Sequence, residues 1–197
     1  VFVTASPVAA FGDALLLALR RKGASAWDVE RFEQMVMPEV QAEAARQATD
    51  ADLAEIQRLA EAYHVTFAAV TRASWGRDRL SAAERDQVML AFQALYRAIF
   101  AATHNAVWGL LAEPLLRLRA PRSWQSGELT VEEFIAHERQ LIDARVAAIV
   151  ARDPDRAYDS AKSAAAVPPD IAAILRDALQ ATPVAEIAAI PLPLPSR

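Results

Sequence analysis

The stretch AFQALYRAIFAATHNAVWGLL, Ala91 to Leu111, is apolar on nearly every side, yet it carries Gln93, Tyr96, Arg97 and the neighbours His104 and Asn105. Val88, Phe92, Leu95, Ile99 and Ala102 fall on one stripe at helical spacing, with Met89, Tyr96, Phe100 and Thr103 on a second stripe beside it. A helix apolar over so wide an arc is surrounded by other helices. Phe92 and Tyr96 are four residues apart, so they stack on one face. A buried Tyr hydroxyl without a partner costs about 1–3 kcal/mol. Tyr96 therefore either bonds to another helix or points into a cavity where a ligand or water satisfies it.

The rest of the chain agrees with an all-α bundle. Of 197 residues, 54% are hydrophobic and 23% charged, a globular rather than disordered balance. Ala dominates and there are only 5 Gly, which favours helices because Ala costs least in a helix and Gly costs much more. No apolar run is long and clean enough to span a bilayer, and VFVTASPVAA lacks the basic start of a signal peptide. Cysteine is absent, so disulfides and thiolate metal sites are excluded, which fits a cytoplasmic protein. The formal net charge is -4, with Arg20-Arg21-Lys22 the one basic cluster, so the chain taken alone is poorly suited to nucleic acid.

Seven to eight helices follow from the pattern of caps and breakers. Residues 1–7, VFVTASP, read as a short strand, the end of an upstream wing or linker. A helix from Val8 to Lys22 stops at Gly23. Ser25 caps a second, kinked near Gln34–Met37 by Pro38. Thr49 caps a third, with Leu53, Ile56, Leu59, Ala60, Tyr63, Phe67 and Val70 on its apolar face, and RASWGRDRLS forms a loop. Ser81 and Glu84 box the start of a fourth helix that reaches His104, and a fifth runs from Ala106 to Leu118. After the loop RAPRSWQSGE, Thr130 and Glu133 box a sixth helix, Val131 to Arg152. Pro154 opens a seventh. Pro168-Pro169 precedes an eighth, IAAILRDALQA. The helical domain spans residues 8–180, and residues 181–197 form a Pro-rich tail.

Catalytic motifs are sparse. There is no G-x-S-x-G, no Gly-rich phosphate loop and no Cys nucleophile. His137-Glu138 begins like a zinc-protease motif, but position 141 is Leu where a second His is required. Glu61-x-x-His64 is half of a di-iron carboxylate site, which needs a second such pair and two more glutamates. Glu133 lies one position too far from His137 to supply it. A helical-bundle metalloenzyme built on Glu61, His64, Glu133 and His137 is thus the alternative reading. The commoner state for Glu61 and His64 is a solvated helix face.

Several segments resemble one family. LYRAIFAATHNAVWGLL resembles the part of GntR-family bacterial transcription regulators that typically reads F-H-x-x-I-x-x-A-S/T-G/N-N-x-x-L/Y/W. FEQMVMPEVQAEAARQATDADLAEIQRLA is similar to the family's first long helix, F-R-x-x-I/V-E-P-x-x-A-x-x-A-A-x-x-A-T/S-x-x-D/E-L. VARDPDRAYDSAKS resembles the start of its late helix, x-x-x-D-x-x-x-A, and VFVTASP looks like the last strand of the winged helix-turn-helix that precedes the domain. The resemblance covers roughly residues 1–166. It implies the helical effector-binding and dimerisation domain of the FadR subfamily, known as the FCD domain, and an upstream DNA-reading module.

Most members of that subfamily hold a divalent cation through one Asp and three His. By position these fall on Phe92, Tyr96, Ile142 and Ala164, and the Arg that opens the first motif falls on Glu33. Phe, Ile and Ala offer a cation no donor atom, and neutral Tyr is a poor one. The resemblance therefore implies the metal-free branch that responds to fatty acyl-CoA, with an apolar effector of the fatty acid or acyl-CoA kind in a pocket lined by Phe92, Tyr96, Trp108 and Ile142. Arg97, with Arg117 and Arg119, is placed to attract an anionic head group. No cofactor and no catalytic residue is expected, and the partners expected are a second copy of the chain in a homodimer and operator DNA read by the upstream module.

Overall fold

The computed structural model describes residues 7–77, 80–118, 129–164, 176–177 and 179–184. Within them the chain forms seven helices: α1 Pro7–Arg21, α2 Ala26–Gln47, α3 Asp50–Ser74, α4 Ala82–Ala101, α5 Ala106–Leu118, α6 Val131–Val150 and α7 Pro154–Ala164. They pack as a bundle, all-α as the periodicity predicts, with no strand among the described residues. The expected strand at 1–6, the loop at 119–128 with Arg119, and the Pro-rich end beyond 184 lie outside the described residues. Of the eighth expected helix, 176, 177, 179 and 180 are described, and they are helical.

Four helix starts are built alike. Ser25, Thr49, Ser81 and Thr130 each take extended backbone and accept from the third residue of the following helix, whose carboxylate bonds back to the cap backbone. These are reciprocal capping boxes, which satisfy two otherwise orphaned donors each. The bonds from Ser25, Thr49 and Thr130 hold Asp28, Asp52 and Glu133 below the usual carboxylate range. Glu84 is pushed down to about 2, first by its bond to Arg77 and then by those to Ser81.

Helix ends use the left-handed region. Gly23 has φ 69° and closes α1, with the Ala24 N–H reaching back to the Leu19 carbonyl. His104 and Arg152 take the same conformation, φ 51° and 54°, without being glycine. The Asp153 N–H bonds the Ala148 carbonyl, which turns the chain sharply from α6 into α7. His104 is thus a helix-end residue just beyond α4, which stops three residues earlier than its apolar pattern suggests. Asn105 caps α5 by accepting from the Val107 N–H at 2.9 Å.

α3 runs on through Ser74, so the first three residues of RASWGRDRLS are helical, not loop. Thr71 and Ser74 are buried there, Ser74 bonds the Thr71 carbonyl, and Trp75 packs on Phe134 of α6 at 5.8 Å. Tertiary packing outweighs the polar composition of the segment. α2 continues through Pro38, which is buried inside it.

The main core joins the inner faces of α2, α3, α4 and α6, with Val40, Ile56, Leu95, Ile99, Phe100, Ile142 and Ile149 closed to solvent. Each such side chain contributes about 1.5–3 kcal/mol by burial. A second, smaller core of Ala26, Val29, Leu118, Leu179 and Val184 joins the start of α2 to the end of α5, with Leu16 and Leu19 of α1 packed against it. Residues 182–184 close it: the Ala26 N–H donates to the Thr182 carbonyl at 2.8 Å, and the Val184 N–H to the Ala24 carbonyl at 3.0 Å.

Candidate functional site

Among the described residues no Cα of α4 comes within 8 Å of one in α6, so side chains alone span the space between them. Phe92 and Tyr96 project into that space from α4, their rings stacked at 4.3 Å with 27° between planes. Tyr63 of α3 meets Phe92 edge-on at 5.8 Å. Ile142 enters from α6 and is buried, as is Tyr96. Trp108 of α5 is half-buried against the same cluster. Four of the five residues expected to bind an effector, Phe92, Tyr96, Trp108 and Ile142, thus belong to one apolar cluster.

The fifth does not. Arg97 is exposed and bonds Glu113 at 2.9 Å and Gln93 at 3.3 Å. Arg117 likewise pairs with Asp13 at 2.7 Å on α1. Both are engaged in surface ion pairs.

The Tyr96 hydroxyl is bonded to another helix, which decides between the two states its burial allows. Nη1 of Arg145, on α6, donates to it. Arg145 lies three residues beyond Ile142, within the apolar run that continues to Val146 and Ile149. It is half-buried, and its Nε is buried with no acceptor. A guanidinium thus reaches Tyr96, in a cluster that sequence reasoning takes as free of ions. The signal was present as one basic residue interrupting an apolar stripe.

The positions where the resemblance to GntR-type regulators places cation ligands do not fit a metal. Phe92 and Ile142 offer only carbon, and the Tyr96 oxygen already accepts from a cation. No group of three or more His, Asp or Glu side chains among the described residues is gathered closely enough to hold a metal ion. The alternative set is scattered accordingly. Glu133 closes its capping box, His137 is exposed, and Glu61 pairs with Arg139 at 2.7 Å.

His64 departs from expectation. It is buried, not solvated, and its Nε2 lies 2.8 Å from an Asp143 carboxylate oxygen. A buried imidazole needs such a partner. It belongs to a run of polar contacts joining antiparallel α3 and α6: Arg72 to Glu132 through two bonds of 2.8 Å, the Tyr63 hydroxyl to Glu138 at 2.7 Å, and Arg139 to Glu61. Beside His64 an open groove of about 430 Å³ runs between the two helices, floored by Ala60, Val146 and Ala147. On α2, Glu30 and Glu33 are buried, and Glu33 holds the place where the family pattern has Arg.

Among the described residues no helix is long and apolar enough to cross a membrane. Compared with known proteins, the chain matches no family model and no curated protein.

Proposed function

We propose that this chain is the effector-sensing and dimerisation domain of a GntR-type bacterial transcription regulator of the FadR subfamily, working without a metal. The single observation that carries the reading is the α4–α6 cluster. The helices that hold the cation in most of the subfamily here bring together Phe92, Tyr96 and Ile142. An apolar organic effector, of the fatty acid or acyl-CoA kind, would lodge between these helices. Its binding would favour one arrangement of two DNA-reading modules over another, through its differential affinity for the two states. The domain would act as a homodimer, because a palindromic operator and its reader share a two-fold axis.

Native mass spectrometry and light scattering of the purified protein test this reading together. The expected result is a dimer at micromolar concentration, carrying or accepting an apolar guest and no stoichiometric transition metal. A monomer, or a dimer with one iron, zinc or manganese per chain, would overturn it.

A further inference from the structure

The groove between α3 and α6 is turned away from the Tyr96 cluster. Asp143 and Ala147 line it, and helical spacing sets Arg145 on the far side of α6 from both. Its volume of about 430 Å³ is that of a small-molecule site, where apolar walls meet a few polar groups. The lining runs over positions 57–64 of α3 and 143–151 of α6, a length of about 10–12 Å at 1.5 Å per residue. That is about two turns, too short a seat for a docked helix and long enough for a short alkyl chain. Ala60 and Ala147 give the groove its depth, because a longer side chain at either place would fill it. Among the described residues no Lys or Arg lines it, while Glu61 and Asp143 do, beside His64. Arg139, one turn before Asp143, reaches both acids from outside: Nη2 to Glu61 at 2.7 Å and Nε to Asp143 at 3.4 Å. The two carboxylates are therefore spaced for one cation to bridge. With His64 counted as neutral, two carboxylates face a single guanidinium, and one negative charge is left over.

We infer that the α3–α6 groove binds a small organic cation, a primary ammonium on a short apolar body. An ammonium brings three N–H donors, and a carboxylate accepts at about four sites, so Glu61 and Asp143 can each take one donor from the groove side while keeping Arg139 and His64. The apolar body then lies over Ala60, Val146 and Ala147. The same two carboxylates repel an anionic guest. Glu61 is 58% and Asp143 53% exposed, so water screens both contacts and the selectivity they confer is modest. The site does not rest on the sensor reading above: it lies on another face of α6 and takes a ligand of the opposite charge.

Hexylamine hydrochloride, 1-hexanol and sodium hexanoate, titrated separately into the isotope-labelled full chain and followed by amide NMR shifts, test the site. The titrations are run at pH 7, where an alkylamine is protonated as Lys is. Hexylammonium is expected to bind about fivefold more tightly than hexanol, the scale of one exposed ion pair, and hexanoate more weakly than either. The ammonium's shifts should fall on residues 57–64 and 143–151. Glu61→Gln should bring the ammonium down to the level of the alcohol. Glu55→Gln, the same change of charge at a residue paired with Arg58 outside the groove, should leave the preference intact. Ala147→Leu, at an exposed position, should fill the groove and abolish binding of both probes. Hexanol or hexanoate bound as tightly as the ammonium, ammonium shifts confined to residues 92–96, or a preference undiminished in Glu61→Gln would each overturn the assignment. The ranking of the three probes on the unaltered protein decides the matter even where a variant fails to fold.

Discussion

Replacing Tyr96 by Phe removes one oxygen from the centre of the bundle and nothing else. The ring keeps its stack on Phe92 at 4.3 Å and its buried position, so no cavity beyond the hydroxyl opens. The bond that disappears is one to a charged donor, worth about 1.5–3 kcal/mol. Its loss leaves Nη1 of Arg145 in the condition its Nε is already in. Tyr96→Phe is therefore expected to cost about 1.5–3 kcal/mol, a fall in Tm of about 3–12 °C for a chain of this size. Arg145→Met removes the guanidinium and with it the desolvation penalty. Exchanging buried polar partners for apolar ones of similar volume is often neutral or stabilising by about 1–4 kcal/mol. The double variant should thus recover most of what Tyr96→Phe alone loses. Urea denaturation followed by far-UV circular dichroism, at fixed protein concentration, measures all three. A double variant as unstable as Tyr96→Phe, or less stable, would refute the reasoning, because the hydroxyl would then matter for something other than the cation.

Acid should loosen several helix starts together. Asp28, Asp52, Glu84 and Glu133 all lie below the usual carboxylate range in the folded chain. Their contribution is fully present above the unfolded values, about 3.9 for Asp and 4.3 for Glu. It fades as pH falls toward the folded values, about 2 for Glu84. A Tm that stays flat between pH 5 and pH 2.5 would count against this. Thr49→Ala should cost about 1 kcal/mol through loss of the α3 cap, read from the urea midpoint. Ile149→Ala, at a site fully closed to solvent, should cost about 2–5 kcal/mol. Leu90→Ala, on the exposed side of α4, should stay within about 0.5 kcal/mol in the same assay.

Local chemistry was the legible part. A hydroxyl followed three residues later by a carboxylate is complete within one turn, so the starts of α2, α3, α4 and α6 could be read from Ser25, Thr49, Ser81 and Thr130. Apolar spacing placed Tyr63, Phe67, Leu95 and Tyr96 on inner faces, and Pro154 marked the start of α7. Distant pairing was not legible. His64 and Asp143 are 79 residues apart, and Tyr96 and Arg145 are 49 apart. Nothing local to either helix shows which polar side chain meets which across a bundle. His64 therefore read as wet, and Arg145 went unnoticed beside the more conspicuous Arg97.

The clip between residues 24–26 and 182–184 bears on how the molecule comes into being. The Ala26 N–H belongs to the first turn of α2, where intrahelical acceptors are lacking, and its acceptor is made more than 150 residues later in the order of synthesis. On a ribosome, α2 through α7 emerge and begin to condense while α1 has no finished seat. Leu16, Leu19 and Trp27 then remain wet until Leu179 and Val184 arrive. In a nascent chain of this design the side of α1 that carries Leu16 and Leu19 stays partly uncovered until residues 179–184 are made, which makes α1 a natural handle for a chaperone or for a neighbouring nascent copy.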